Sequence, residues 1–247
     1  MTIAGSPLQG KVVLILGGSR GLGRTIALGA ARRGAHVGVI ARSKPDLDAL
    51  RQQIEQDTGR SPLIITADAR DAAAIEAAVE AARERFGGID VGIYSAGIAY
   101  WEPVTAMPEE RWDETLDINL KGAFLFSRAV LPGMLARRSG QLLYISSQIA
   151  VEPIARYAAY AASKAGLRAL AEVIAKEVAG QGIRVTTIVA GLIDTAFSDI
   201  EHGRPPDQRP PHELMLTTEE VAGQILDVLQ TSGNAWVKEV IIYPARL

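Results

Sequence analysis

Residues 12–33 read VVLILGGSRGLGRTIALGAARR. Val12 to Leu16 make an apolar run of strand length, Gly17-Gly18-Ser19-Arg20-Gly21-Leu22-Gly23 breaks it, and Arg24–Arg33 continues with helical spacing. A strand, a glycine turn and a helix in that order leave backbone N–H groups and the positive end of the helix pointing at one spot. An anion such as a pyrophosphate is held there, and side chains in the turn would block its approach. The same residues spell G-x-S-x-G around Ser19, the nucleophile turn of an α/β-hydrolase. That reading needs strands before the turn and an acid and a histidine after it. Only one strand precedes Ser19, and His202 and His212 fall in a proline-rich stretch.

Outward from this unit the rhythm repeats. Predicted strands at 35–41, 63–66, 91–95, 141–146, 184–189 and 236–243 alternate with predicted helices at 46–56, 71–86, 108–138, 157–179 and 218–229. Strands this apolar are buried on both faces, which requires helices above and below. The expectation is one α/β domain over residues 1–247, a doubly wound, mainly parallel seven-stranded sheet of the Rossmann type. Gly34, Gly59, Gly87 and Gly140 fall where helices end and are expected to take left-handed backbone angles. Residues 198–216 form the one long irregular stretch, with Arg204-Pro205-Pro206 and Arg209-Pro210-Pro211, and 196–216 reads as a substrate lid.

Composition narrows the partners. A net charge of −2 with 22% charged residues offers no basic face to nucleic acid or anionic membrane, so a small-molecule partner is expected. The chain has no cysteine, which excludes disulfides, thiolate metal sites and a cysteine nucleophile. His36, His202 and His212 match no metal-ligand spacing, so no metal is expected. The start MTIAGSPLQG has neither a basic nor an apolar leader segment, and a cytoplasmic protein is expected.

Two positions speak to the nucleotide. Where an NAD site places an acid after the second strand, this chain has Ala41-Arg42-Ser43. Arg42 and Arg20 offer guanidinium forks suited to a 2′-phosphate, which points to NADPH/NADP+; read plainly, both are solvated surface charges. Asp68 is placed to accept from an adenine amino group, or equally to cap the next helix. Tyr160 and Lys164 lie four apart in a predicted helix, so they share a face. An ordinary tyrosine pKa is about 10, and a neighbouring cation lowers it toward the range useful for acid–base work on a carbonyl and its alcohol.

With these motifs in place the chain resembles the short-chain dehydrogenase/reductase family over essentially its whole length, in its NADP(H)-type, 3-oxoacyl reductase-like form. Gly17, Gly21 and Gly23 match the family's T-G-x-x-x-G-x-G turn, Asp68 its adenine-contacting aspartate, Ser95-Ala96-Gly97 the end of its N-N/S-A-G strand, and Asn119 its helix asparagine. Ser147, thirteen residues before Tyr160, stands at the catalytic serine, with Ser146 as the adjacent alternative. Gly191-Leu192-Ile193-Asp194-Thr195 resembles P-G-x-x-x-T, and Thr195 reads otherwise as a helix cap. The resemblance implies cofactor contacts at Gly17, Ser19, Arg20, Gly21, Leu22, Gly23, Arg42, Ser43, Asp68, Ala69, Ser95, Ala96, Gly97, Tyr160, Lys164, Gly191, Ile193 and Thr195.

The family roles imply that Ser147 orients a carbonyl oxygen and Tyr160 exchanges the proton. Lys164 then binds the nicotinamide ribose and lowers the tyrosine pKa, while Asn119 supports a water linked to the lysine. Leu16, Tyr94 and Ala190 depart from the family pattern, which usually has threonine, asparagine and proline there, and the chain lacks the V-D-G-G ending common in fatty-acid-type members, which counts against an acyl-carrier reductase. Gln148, Tyr157, Leu192 and Phe197, with Tyr100, Trp101, Ile149 and Ile154, are expected to wall an apolar substrate pocket for a hydrophobic, aromatic or 3-oxoacyl ketone. The expected activity is NADPH-dependent reduction of a ketone to an alcohol. A non-catalytic NADP(H)-sensing protein of the same fold is the alternative. Helices 108–138 and 157–179 are expected to build a homotetramer or dimer.

Overall fold

A computed structural model describes residues 6–195, 197, 204–208, 210–231 and 234–245. The opening of the expected lid, at 196 and 198–203, and residue 209 lie outside the described residues, as does His202.

β1 (Val12–Leu16), β2 (His36–Ala41), β3 (Leu63–Thr66), β4 (Val91–Tyr94), β5 (Gly140–Ser147), β6 (Ile183–Ala190) and β7 (Glu239–Ile242) form one seven-stranded sheet in the order β3-β2-β1-β4-β5-β6-β7. Every strand pairing is parallel. Residues of β1 alternate between two apolar layers. Val13 and Ile15 face one layer, with Ile26 of α1 (Gly21–Arg32), Leu50 of α2 (Lys44–Thr58) and Ile225 of α7 (Thr218–Val228). Val12, Leu14 and Leu16 face the other, with Ile75 of α3 (Ala72–Phe86), Phe126 of α5 (Gly122–Arg137) and Leu167 of α6 (Ala158–Glu177). A strand wrapped on both sides has no polar face, which is why β1 is apolar at all five positions.

The chain runs outward from β1 to β3 and then returns to lay β4 on the other side of β1. The C-terminal ends of β1 and β4 therefore diverge and leave a crevice at this switch point.

The stretch read as helical over 108–138 is helical, divided into α4 (Glu109–Leu116), a π turn Asp117–Lys121, and α5. The buried positions Thr115, Ile118, Asn119, Gly122, Ala123, Phe126 and Val130 keep spacings of three and four through the turn, so the sequence pattern does not reveal it. One expectation is corrected. Gly34, Gly59 and Gly87 are left-handed as expected, but Gly140 is not; Arg138, with φ +50°, ends α5 instead. Gly140 opens β5 against Met134, whose side chain occupies the space a Cβ would need.

Candidate active site

A cavity of about 620 Å³ opens at the C-terminal ends of the strands, well sized for a nucleotide together with a small substrate. At its floor Gly17 takes φ +89°, a backbone angle that side chains resist, and any Cβ on it would strike the Ala96 backbone. Gly23 packs equally tightly, against the carbonyl of Gly17. The turn is thus a cradle that glycine alone keeps open. Leu16, at the family's threonine position, still docks through backbone: Ser95 N–H donates to its carbonyl at 2.8 Å, and Gly17 N–H donates to Ile40 at 2.8 Å.

Ser19, Arg20, Gly21, Leu22, Arg42, Ser43, Asp68, Ala69, Ser95, Ala96 and Gly97 all line the cavity, as do Gly191, Leu192, Ile193 and Thr195 on its far rim. Arg20 Nε lies 2.8 Å from Asp46 of α2, a carboxylate that a search limited to the end of the second strand misses. Asp68 is not the helix cap, since Asp71 caps α3 by accepting from Ala74 N–H. Its carboxylate instead accepts from Arg70 Nε at 3.1 Å and Nη2 at 2.8 Å, and the Arg70 hydrogen bonds hold its pKa below the ordinary range. Thr195 does accept a cap-like bond from Phe197 N–H, and its methyl lies against Gly21.

Ser147, Tyr160 and Lys164 also face the cavity. Ser147 Oγ accepts from Ile149 N–H at 3.4 Å, which leaves its own proton to donate. The neighbouring Ser146 is buried and donates to the Lys164 carbonyl at 3.3 Å. α6 carries Tyr160 and Lys164 one turn apart, with the ammonium 5.6 Å from the phenol ring centroid. Lys164 donates to the Ile145 carbonyl at 2.9 Å and is almost wholly buried, which pulls its pKa down to about 8. It remains charged at pH 7.

Asn119 stands apart from the residues that line the cavity. It does not line the cavity but lies buried behind it, in the π turn. Its Oδ1 accepts from Ile98 N–H at 2.8 Å, and its Nδ2 donates to Ile98 O and Ser163 Oγ, both at 2.9 Å. The side chain pins the loop after β4 to α6.

On the substrate side, Gln148, Tyr157 and Phe197 line the cavity with Trp101, Ile149 and Ile154. The Tyr160 ring sits between those of Tyr157 and Phe197, with centroids 6.1 and 5.9 Å away. Tyr100 is not a wall residue, because its hydroxyl donates to Glu114 at 2.6 Å. Arg204, which sequence reasoning did not single out, lines the cavity and donates to the Tyr157 hydroxyl at 3.0 Å. At the end of the stretch expected as a lid, Leu216 N–H donates to Leu192 O and Asp194 N–H to Leu216 O, each at 2.8 Å. Among the described residues no group of histidines and acids is arranged to hold a metal ion, and no helix is long and apolar enough to cross a membrane.

The family model described as short chain dehydrogenase matches residues 11–203. The chain belongs to this family. The hydrolase reading of Ser19 falls with that assignment. Among short chain dehydrogenase relatives, D-threitol dehydrogenase of Mycolicibacterium smegmatis is 37% identical over 188 residues, covering 76% of this chain and 72% of its own. The 3-oxoacyl-(acyl-carrier-protein) reductase of Thermotoga maritima is 34% identical over 240 residues, covering 90% and 97%. Glycine betaine reductase of Emericella nidulans is 31% identical over 241 residues, and this chain spans 19% of its length. In structure, an alcohol dehydrogenase from the archaeon Thermococcus sibiricus, complexed with 5-hydroxy-NADP, superposes with a TM-score of 0.86 at 26% identity, covering 96% of this chain and 97% of its own. The protein is an oxidoreductase of this family.

Proposed function

We propose that this short chain dehydrogenase is an NADPH-dependent carbonyl reductase that turns a hydrophobic, aromatic or 3-oxoacyl-type ketone into an alcohol. The observation that carries the reading is the convergence of Ser147, Tyr160 and Lys164 on the one cavity whose floor is the glycine cradle. The cradle, the α1 N-terminus and the guanidinium groups of Arg20 and Arg42 suit a phosphorylated dinucleotide. When bound, the nicotinamide group supplies the hydride that reaches the carbonyl carbon.

The remaining work belongs to side chains. Ser147 and Tyr160 donate hydrogen bonds to the carbonyl oxygen, stabilising the negative charge that develops there, and Tyr160 passes its proton to the forming alkoxide. The ammonium of Lys164 favours the phenolate left behind. Burial of Lys164 and its bond to Ile145 fix the charge in place before substrate arrives, so the transition state needs little rearrangement. The aromatic walls supply apolar contact for the rest of the ketone. The likeness to a 3-oxoacyl reductase supports an acyl thioester within that class.

Exposed Trp112, Phe124 and Val173 on α4, α5 and α6 support a homo-oligomer built on those helices.

Calorimetric titration with NADPH and with NADH, followed by a carbonyl panel, tests the reading. Tight binding of NADPH alone with turnover of aryl or 3-oxoacyl ketones is the expected result. Equal binding of NADH would remove the roles given to Arg20 and Arg42, and a preference for small hydrophilic sugars would overturn the substrate class.

A further inference from the structure

Tyr94 and Tyr144 stand opposite each other on β4 and β5, paired in register and buried in the same apolar layer. Both side chains are almost wholly buried, and a buried tyrosine hydroxyl usually finds a hydrogen-bond partner. Tyr144 shares a hydrogen bond with Ser127 Oγ in the middle of α5, at 2.6 Å. Tyr94 donates to the carbonyl of Ile118, inside the π turn.

A π turn holds one residue more than the helix around it, which displaces backbone groups from the α-helical ladder. It persists where something outside the helix holds it. Here a single hydroxyl reaches from the sheet to the turn. Gly122, where the turn passes into α5, lacks the Cβ that would collide with the Tyr94 oxygen. The residue after Ile118 is Asn119, whose side chain joins Ile98 to Ser163, the neighbour of Lys164. The gap between them is narrow: a Cβ on Gly97 would lie 3.4 Å from Asn119 Oδ1 and 3.5 Å from Lys164 Nζ.

We propose that Tyr94 is a positioning residue for this active site: its hydroxyl holds the π turn and so sets where Asn119 clamps the loop after β4 to α6. The effect on catalysis rests on the carbonyl-reductase reading; the effect on local order does not. Tyr94 does this from a position where the family usually has asparagine.

The matched tyrosine makes the test sharp. Tyr94→Phe and Tyr144→Phe each delete one buried hydroxyl from neighbouring strands. In Tyr94→Phe, amide hydrogen exchange across residues 117–123 and 163–165 should quicken roughly tenfold or more. Its kcat should fall roughly tenfold while KM for the ketone and Kd for NADPH stay within about twofold. Tyr144→Phe should lower Tm to a similar extent and keep wild-type kcat and wild-type exchange in those segments.

Two variants that merely lose Tm alike, with unchanged kcat, would overturn the proposal. If Tyr94→Phe does not fold, Gly122→Ala displaces the same hydroxyl and should reproduce the local exchange and the kcat loss; an unaltered Gly122→Ala would overturn it equally. A wild-type protein that binds NADPH but turns over no carbonyl would sink the reductase reading, and the exchange comparison would still decide the role of Tyr94.

Discussion

Tyr160 is the group on which the proposed chemistry turns. Its ring packs against Tyr157 and Phe197, so Tyr160→Phe keeps the ring contacts and removes the hydroxyl that carries the exchangeable proton. We expect kcat to fall by roughly 10²–10⁴-fold with NADPH binding unchanged, measured by steady-state turnover beside calorimetry. Asp46 is the counterpart at the other end of the cavity. It engages Arg20 through an exposed contact, and a 2′-phosphate arriving there must compete with a carboxylate. Asp46→Asn should therefore tighten NADPH several-fold and leave NADH unchanged; equal changes in both dissociation constants would show that Arg20 does not read the phosphate. These contacts explain how far single positions could be understood in advance. Tyr160 and Lys164 sit at a spacing that helix geometry brings together, whereas Ser147, on β5, is implied by the resemblance to the family and meets them only through the packing of α6 on the sheet. Asp46 and Arg70 reach their partners through side-chain directions that spacing does not encode.

The elements place these groups, and their ends carry much of the information. α5 stops at Arg138, a left-handed residue with a side chain, because the next available glycine is needed elsewhere. Gly140 leaves room for Met134, buried beneath β5. Gly140→Ala should cost about 1–3 kcal/mol in denaturant unfolding, since the Cβ meets the Met134 side chain near its root and the core must shift. No loss would mean that Met134 can move aside and that the glycine answers to some other constraint. The π turn teaches a related lesson. Its extra residue does not disturb the apolar pattern of 108–138 enough to be seen, and it becomes necessary only once the sheet, Tyr94 and the Ile98 loop are in place around it.

Across the fold, burial of Lys164 ties stability to pH. Its pKa is about 8 when folded, against 10.5 for the free side chain. Below pH 8 both states carry the proton and the folded state bears the full cost of a buried ammonium. Between 8 and 10.5 the unfolded chain still holds a proton that the folded chain has released, so the free energy of unfolding rises with pH across that window. Relative to Lys164→Met, which has nothing to titrate there, wild-type stability should climb by on the order of 3 kcal/mol from pH 8 to 10.5. Denaturant melts at a series of pH values check this, and a level or falling difference would refute it. The reducing activity should decline over the same rise in pH, as the ammonium beside Tyr160 loses its charge.

Local chemistry in the chain was sufficient for the alternation of strands and helices, the two-faced burial of the sheet, the glycine cradle and the pairing of Tyr160 with Lys164. Each depends on spacing within one element or on the junction between two, and periodicity and turn chemistry express such relations directly. Ser147 was implied by the resemblance to the family. What required the folded molecule was every relation between distant segments. These include the engagement of Arg20 by Asp46, the withdrawal of Asn119 behind the cavity wall, the turning of Tyr100 toward Glu114, and the arrival of Arg204 beside Tyr157. Such contacts are chosen by how helices pack on the two faces of the sheet, and many side-chain arrangements share the same apolar pattern until that packing selects one.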